Sequence, residues 1–243
     1  MSPLASVSSL RLEIFRENTE GEYTGMGGVA RKNTPAEGAI EENLATRHGV
    51  ERIIRAAFQF ADSRGRDRVT LVDKANVMRY VGDLWRRTFA NVASEYPGIE
   101  VDEMYVDAMA MDLVRRPERY QVLVMSNLFG DIISDLAAEI TGGLGMAPSA
   151  NIHPGRNVLF EPVHGSAPDI AGQGKANPIG AIRCVALMMD HFGHYTAGEY
   201  IEAAILSAYR MGQVTPDLGG KFSTTETGTA IVEHIRDAYV ASA

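Results

Sequence analysis

A chain of 243 residues, 45% apolar and 22% charged, is long enough to bury a core and has an ordinary globular composition. A formal charge of −8 argues against nonspecific nucleic-acid binding, which needs a basic surface. No apolar run approaches the roughly 18 residues of a membrane span, the first residues make a poor secretory signal, and one cysteine, Cys184, allows no intrachain disulfide, so the expected setting is the reducing cytoplasm.

Residues 10–15 (Leu-Arg-Leu-Glu-Ile-Phe) alternate apolar and charged side chains and predict a strand. Residues 20–46 show little periodic hydrophobicity and predict a long loop or a protruding β-arm, usually functional or interfacial. From 50 to 62, apolar residues at 50, 53, 54, 57, 58 and 61 predict a helix with one buried face. A short apolar strand at 69–72 precedes a helix over 76–95, which Tyr96-Pro97-Gly98 stops. A strand at 100–106, a short helix at 112–116, a buried strand at 121–125 and an acidic helix at 129–140 follow, and glycines at 142–145 break the pattern. A strand at 158–160 opens a second region; a Gly/Pro-rich loop runs to Pro178, then helices at 179–192, 200–211 and 228–239. Strands alternating with helices imply an α/β fold with substantial parallel pairing.

Three groups of residues carry chemistry. In Ser126-Asn-Leu-Phe-Gly-Asp-Ile-Ile-Ser-Asp135, the carboxylates of Asp131 and Asp135 stand four residues apart and share one helix face, where like charges repel. A hard dication is the simplest partner; an acidic helix start is the alternative. Asp107, in Tyr-Val-Asp-Ala-Met-Ala-Met, is a third ligand candidate or else a strand-end cap. Lys74 lies where a strand gives way to a helix, at the edge where α/β proteins bind ligands. Near a dication an ammonium is disfavoured, so Lys74 could serve as a base; an ordinary solvated lysine is the alternative. The loop Glu161-Pro-Val-His-Gly-Ser-Ala-Pro-Asp-Ile-Ala-Gly, closed by Asn177-Pro178, could bring backbone N–H groups to a nucleotide, although it fits neither a Rossmann fingerprint nor a P-loop.

Read in order, Arg16-Glu-Asn-Thr-Glu-Gly-Glu-Tyr23, Asp73-Lys-Ala-Asn76, Tyr105-Val-Asp-Ala-Met-Ala-Met111, the 126–135 run, residues 161–177 and Thr215-Pro-Asp-Leu-Gly-Gly220 closely resemble the metal-dependent β-decarboxylating (isocitrate/isopropylmalate) dehydrogenases. The resemblance covers nearly everything from about residue 12 onward. It implies that Asp107, Asp131 and Asp135 are Mg²⁺ or Mn²⁺ ligands, that Arg16 clamps a substrate carboxylate and that Asn76 contacts substrate. It also implies Lys74 as the base and Tyr23 as the acid that protonates the enol after CO₂ leaves. Glu161, His164, Gly165, Ser166, Ala167, Asp169 and Asn177 would hold the cofactor, and acidic Asp169 suits the free ribose hydroxyl of NAD over the phosphate of NADP. Lys74 and Asp107 would act across the interface of a homodimer, with the arm at 24–47 and the helices at 76–95 and 129–140 as interface candidates.

The implied organisation is an unmatched lead segment over 1–10, a substrate, metal and dimerisation domain over 11–147, and the C-terminal half of a dinucleotide-binding domain over 148–243. The chain thus resembles an N-terminally truncated family member, without the first nucleotide-binding strand, further carboxylate-binding arginines and the helix that selects the substrate. The helices of the second region would then expose apolar faces. The motifs point to 3-isopropylmalate as substrate, with isocitrate, homoisocitrate and tartrate/D-malate as alternatives. The reading from another class is a non-catalytic fragment or assembly subunit. No nucleic-acid or membrane partner is expected.

Overall fold

The structure is a computed structural model that describes residues 10–155 and 157–242, so the lead segment 1–9 lies outside it. Over the described residues the chain divides into two compact units, one up to Ala137 and one from Ala138 onward. The division falls earlier than the 147/148 boundary expected from sequence, inside a helix.

The first unit is built on a four-stranded parallel sheet. Its strands are β1 (Glu13–Arg16), β4 (Arg68–Asp73), β5 (Glu100–Tyr105) and β6 (Val122–Met125), in the order β1-β6-β4-β5. The central pair is buried throughout except at Arg68, as the apolar runs Val-Thr-Leu-Val and Val-Leu-Val-Met require of strands covered on both faces. Helix α1 (Arg47–Ser63) presents Val50, Ile54, Ala57, Phe58 and Ala61, all fully buried, along one stripe. Thr46 starts it, its side chain accepting from the Gly49 N–H at 3.1 Å. Helix α2 (Arg79–Ala93) adds Trp85, Phe89 and Val92 to the same core. Phe58 stacks on Tyr96 and meets Phe89 at a tilt, with ring centroids 5.2 and 5.4 Å apart.

Strand register fixes where chemistry can occur. Arg16 pairs with Met125, Val72 with Met125, and Asp73 with Tyr105, so the four strands end together. Everything just beyond those ends gathers at one carboxyl edge, the usual ligand-binding edge of an α/β sheet.

Between β1 and α1 the chain forms a hairpin arm, β2 (Gly27–Ala30) antiparallel to β3 (Gly38–Glu41), exposed along its whole length. The arm expected over the 20–46 region is therefore present, and Val29 and Ile40 stand in solvent on it.

Helices α6 (Tyr195–Arg210) and α7 (Thr224–Ser242) start earlier than the expected 200 and 228, and two boundaries beside the site also move. Helix α2 begins at Arg79 rather than 76, because Lys74 first closes a tight turn, its carbonyl accepting from Val77 and Met78 at 2.9 Å each. Helix α3 (Val106–Arg115) starts six residues before the expected 112, which puts Asp107 in its first turn rather than at a strand end. The run Asp-Ala-Met-Ala-Met is made of good helix formers, and a negative charge is favourable in a first turn. Helix α4 (Asn127–Thr141) carries Asp131 and Asp135 and crosses the division between the units.

The second unit contains an antiparallel pair, β7 (Pro148–Ile152) with β8 (Val158–Pro162), and three helices: α5 (Ile179–His191), α6 (Tyr195–Arg210) and α7 (Thr224–Ser242). Strand β7 is not foreshadowed by the sequence: Pro-Ser-Ala-Asn-Ile lacks alternation and is recruited by pairing with β8. Ile179, Ile201, Ile205, Val214 and Ile231 form its core. Phe192, Met211, Val232 and Tyr239 remain exposed, so apolar surface stands open on these helices. Among the described residues no helix is long and apolar enough to cross a membrane.

Candidate active site

Two side-chain groups stand at the carboxyl edge of the sheet. The first is centred on Arg16, the last residue of β1. Its Nε and Nη2 both donate to Oδ1 of Asn127, at 3.0 and 2.8 Å, and Nη1 pairs with Asp131. Asp131 also accepts from the Tyr23 hydroxyl at 3.0 Å, and the Arg16 guanidinium lies 5.4 Å from the Tyr23 ring centre. Asn127 is buried and donates from Nδ2 to the Glu20 carbonyl at 2.9 Å, tying the chain after β1 to the start of α4. Gly130 permits this approach: a Cβ there would stand 2.5 Å from Arg16 Cγ.

The phenol of Tyr23 is raised above its ordinary range, first by the hydrogen bond to Asp131, then by desolvation and by the Asp131 charge, while Arg16 opposes the shift. Tyr23 is therefore held as a neutral O–H donor, the state an acid needs. Asp135, one turn beyond Asp131, is exposed.

The second group is centred on Lys74, just past β4, whose ammonium pairs with Asp107 of α3. The hydrogen bond from Lys74 holds the Asp107 carboxyl below its usual range. Two cations approach the Tyr105 ring, Lys74 Nζ at 5.7 Å and the Arg86 guanidinium at 5.4 Å from its centre. Arg86 of α2 also grips the buried Asp73, donating from Nε at 2.6 Å and from Nη2 at 3.1 Å, and reaches Glu103 at 3.1 Å. A Cβ on Gly82 would stand 2.5 Å from Ala75 Cβ, so α2 lies flush on the Lys74 turn. Asn76, in that turn, is exposed.

Sequence reasoning singled out Arg16, Tyr23, Lys74, Asp107 and Asp131, and the structure puts them in two contacting sets. Asn127, Asp73, Arg86 and Tyr105 were missed as supporting residues. An asparagine opening the acidic run and an arginine one helical turn past Gly82 were the available signals, and both are ordinary residues until the strands align. The three aspartates are not gathered within one copy of the chain: among the described residues no group of three metal-binding side chains is close enough to hold an ion. Asp131 and Asp135, two hard oxygen donors one turn apart on an accessible helix face, fit part of an Mg²⁺ or Mn²⁺ shell, with Asp107 held elsewhere by Lys74.

In the second unit, Glu161 on β8 accepts from Asn151 at 3.0 Å, and His164 Nδ1 is 2.9 Å from the Gly165 carbonyl oxygen. Gly165, Ser166, Ala167 and Asp169 are exposed, and Ala167 adopts a left-handed backbone with φ of 42°. Asn177 is engaged on both sides of its amide: Oδ1 accepts from the Ile179 N–H and Nδ2 donates to Asp217, each at 2.9 Å. It thereby satisfies the first N–H of α5 and ties the loop to the Thr-Pro-Asp-Leu turn. The loop is thus pinned at its ends and open along its middle.

The family model described as isocitrate/isopropylmalate dehydrogenase matches residues 1–233. The chain belongs to the isocitrate/isopropylmalate dehydrogenase family. That range takes in the lead segment, which the motifs alone left outside the resemblance. The chain is similar to the 3-isopropylmalate dehydrogenase of Clavibacter sepedonicus, 49% identical over 236 residues, covering 95% of this chain and 65% of that protein. It is also similar to that of Thermobifida fusca, 47% identical over 240 residues, covering 97% and 67%. Among solved structures, isocitrate dehydrogenase from Methylococcus capsulatus superimposes with a TM-score of 0.88 at 44% identity, covering 95% of this chain and 69% of that one. The chain therefore spans about two thirds of the length of the relatives it matches.

Proposed function

We propose that this chain carries the reaction centre of an NAD-dependent oxidative decarboxylation of a malate-type 2-hydroxy acid, with 3-isopropylmalate as substrate, in leucine biosynthesis in the cytoplasm. The observation that carries this reading is the convergence of a carboxylate-binding cation and a neutral phenol on one candidate metal ligand: Arg16 and Tyr23 both bind Asp131. Several relatives are named for that substrate. The M. capsulatus structure, named for isocitrate, keeps isocitrate as an alternative.

In this reading Arg16 takes a substrate carboxylate in competition with Asp131, which fixes the acid beside Tyr23. Lys74, once its ammonium has given up a proton beside a bound dication, would accept the proton of the 2-hydroxyl, and bound NAD would supply the acceptor for the hydride of C2. The C3–carboxylate bond then breaks, its electron pair moves toward the C2 oxygen, and CO₂ leaves. The Tyr23 O–H supplies the proton to C3. A divalent ion held by Asp131, Asp135 and an Asp107 would add Lewis-acid stabilisation of charge on the C1 and C2 oxygens. Because one copy keeps Asp107 apart on Lys74, a homodimer that contributes Lys74 and Asp107 from one protomer and Asp131 and Asp135 from its partner completes this site. The exposed β2–β3 arm is its interface candidate. The exposed residues of the 161–177 loop would hold NAD, with Asp169 accepting from a ribose hydroxyl.

The test is NADH formation by the purified chain with Mn²⁺ against a panel of malate-type acids, beside a Mn²⁺ titration of the unaltered chain and Asp131→Asn. Turnover preferring 3-isopropylmalate, with Mn²⁺ affinity lost in D131N, supports the proposal. Absence of both turnover and Mn²⁺ binding overturns it in favour of a non-catalytic assembly subunit.

A further inference from the structure

Tyr23 is 54% exposed, so burial does not hold its ring in place. Its hydroxyl reaches Asp131 from the single turn Glu22–Thr24, which the chain enters through Gly21 at a φ of 81°. The aim of that hydroxyl is therefore set by the backbone between the end of β1 and residue 21. At the centre of this stretch stands Glu17, the residue after Arg16, and it is only 3% exposed. Its two carboxylate oxygens accept from the Thr19 N–H at 3.2 and 3.1 Å, and one of them also accepts from the Glu20 N–H at 2.9 Å. The other accepts from the Thr19 hydroxyl and, at 3.1 Å, from Arg52 Nη2 of α1. Arg52 Nη2 also donates to Thr19 Oγ1 at 2.9 Å, so the hydroxyl gives to one partner and takes from the other. A buried carboxylate is tolerated when its oxygens are bonded and its charge is paired, and residues 19, 20 and 52 supply both. The Glu17 N–H itself donates to the Met125 carbonyl at 3.1 Å, which anchors the stretch to the sheet's carboxyl edge. At the far end, the Glu20 carboxylate accepts from the Thr46 N–H at 2.7 Å, and a Cβ on Gly49 would stand 2.8 Å from Glu20 Cδ. Residues 17–20 thus lie flush against the first turn of α1.

We propose that Glu17 and Arg52 are positioning residues for Tyr23: their ion pair folds the 17–20 segment against α1 and so aims the Tyr23 hydroxyl at Asp131. A carboxylate is required at the centre because, the Thr19 hydroxyl apart, the groups bonded to Glu17 can only donate. An amide there would turn its NH₂ toward the Glu20 N–H or toward Arg52, whichever way it faced, and the segment would have to shift. Arg52 lies 35 residues from Glu17 in the chain and one helical turn beyond the start of α1, so the fold alone brings it to the motif. The catalytic consequence rests on the dehydrogenase reading above; the placement of Tyr23 does not.

Carbon-13 at the tyrosine Cζ positions of the full chain gives nine signals, one for each tyrosine, and Tyr23→Phe assigns that of Tyr23. Cζ responds to the hydrogen bond made by its oxygen, and Asp131→Asn shows where the signal lies when that bond is weakened. At neutral pH, Glu17→Gln is expected to move the Tyr23 signal toward its position in Asp131→Asn, with the circular dichroism unchanged. It should also lower kcat on the order of tenfold with KM little changed, since small misplacements of a reacting group are costly. If Glu17→Gln does not fold, Arg52→Gln, at a side chain 28% exposed, should give the same movement. A pair that only adds stability would lower the unfolding midpoint and leave the Tyr23 signal of the folded chain where it was. A signal unmoved in the folded variants overturns the proposal, as does an unaltered kcat beside a moved signal. A moved signal in a chain that never turns over sinks the dehydrogenase reading and leaves the placement of Tyr23 standing; turnover with the signal unmoved does the reverse.

Discussion

Asn127→Ala removes the buried amide that joins Arg16 to the Glu20 carbonyl. Its Oδ1 accepts two guanidinium N–H groups at 3.0 and 2.8 Å, and its Nδ2 donates at 2.9 Å. A hydrogen bond to a charged group is worth about 1.5–3 kcal/mol, and the Glu20 carbonyl loses a partner worth about 1 kcal/mol. Arg16 keeps its pairing with Asp131, and its side chain is 30% exposed, so water recovers part of the loss. Alanine also returns roughly 0.5 kcal/mol of helix propensity at most. The net expectation is a loss of about 2–3 kcal/mol. Urea unfolding followed by tryptophan fluorescence reads the relevant unit alone, because the single tryptophan is Trp85. With a slope of about 2 kcal/mol/M, the midpoint falls by roughly 1–1.5 M at unchanged slope. A shift worth less than about 0.5 kcal/mol, the usual effect of a neutral surface change, would refute the claim that Asn127 holds Arg16 in place.

Other substitutions probe the two groups separately. Gly82→Ala brings a methyl within 2.5 Å of Ala75 Cβ and 2.6 Å of its Cα, so the fit to the Lys74 turn must open. Overpacking costs about 1–3 kcal/mol against about 1 kcal/mol of helix propensity regained, so the same urea assay should show a net loss; a gain would show that the turn yields freely. Tyr23 should ionise above the ordinary phenol range, with its bond to Asp131 present below that range and lost as pH rises through the raised value. Ultraviolet difference titration against Tyr23→Phe measures this, and Asp131→Asn should return Tyr23 toward the ordinary value. The Asp107 carboxyl should titrate low, its pairing with Lys74 present above the usual carboxylate range and lost as pH falls through the lowered value. Carboxyl NMR of Lys74→Met should show it rise, and an unmoved titration would mean that the ion pair is absent in solution.

Much of this architecture was legible residue by residue. The stripe at 50, 54, 57, 58 and 61 specified α1 because a 3.6-residue period leaves one face to bury. The buried runs of β4 and β6 specified the sheet's centre for the complementary reason, that strands covered on both faces show no alternation. Motif order identified the family and the candidate reactive residues. Less legible were elements whose existence depends on distant partners. Strand β7 has no pattern of its own, and the start of α3 was masked because Tyr-Val suits a strand as well as a helix end.

The sequence by itself determined which chemical groups the chain owns: two carboxylates one turn apart, a lysine and an aspartate beyond two strands, and a phenol and an arginine in one motif. Only the tertiary structure decided how they are grouped. Parallel register ends the strands together and brings Arg16 and Tyr23 to Asp131 across more than a hundred residues, while Lys74 takes Asp107 for itself. Side-chain chemistry is local and can be read one residue at a time. Distances between side chains are set by strand register and helix docking, which belong to the folded chain as a whole.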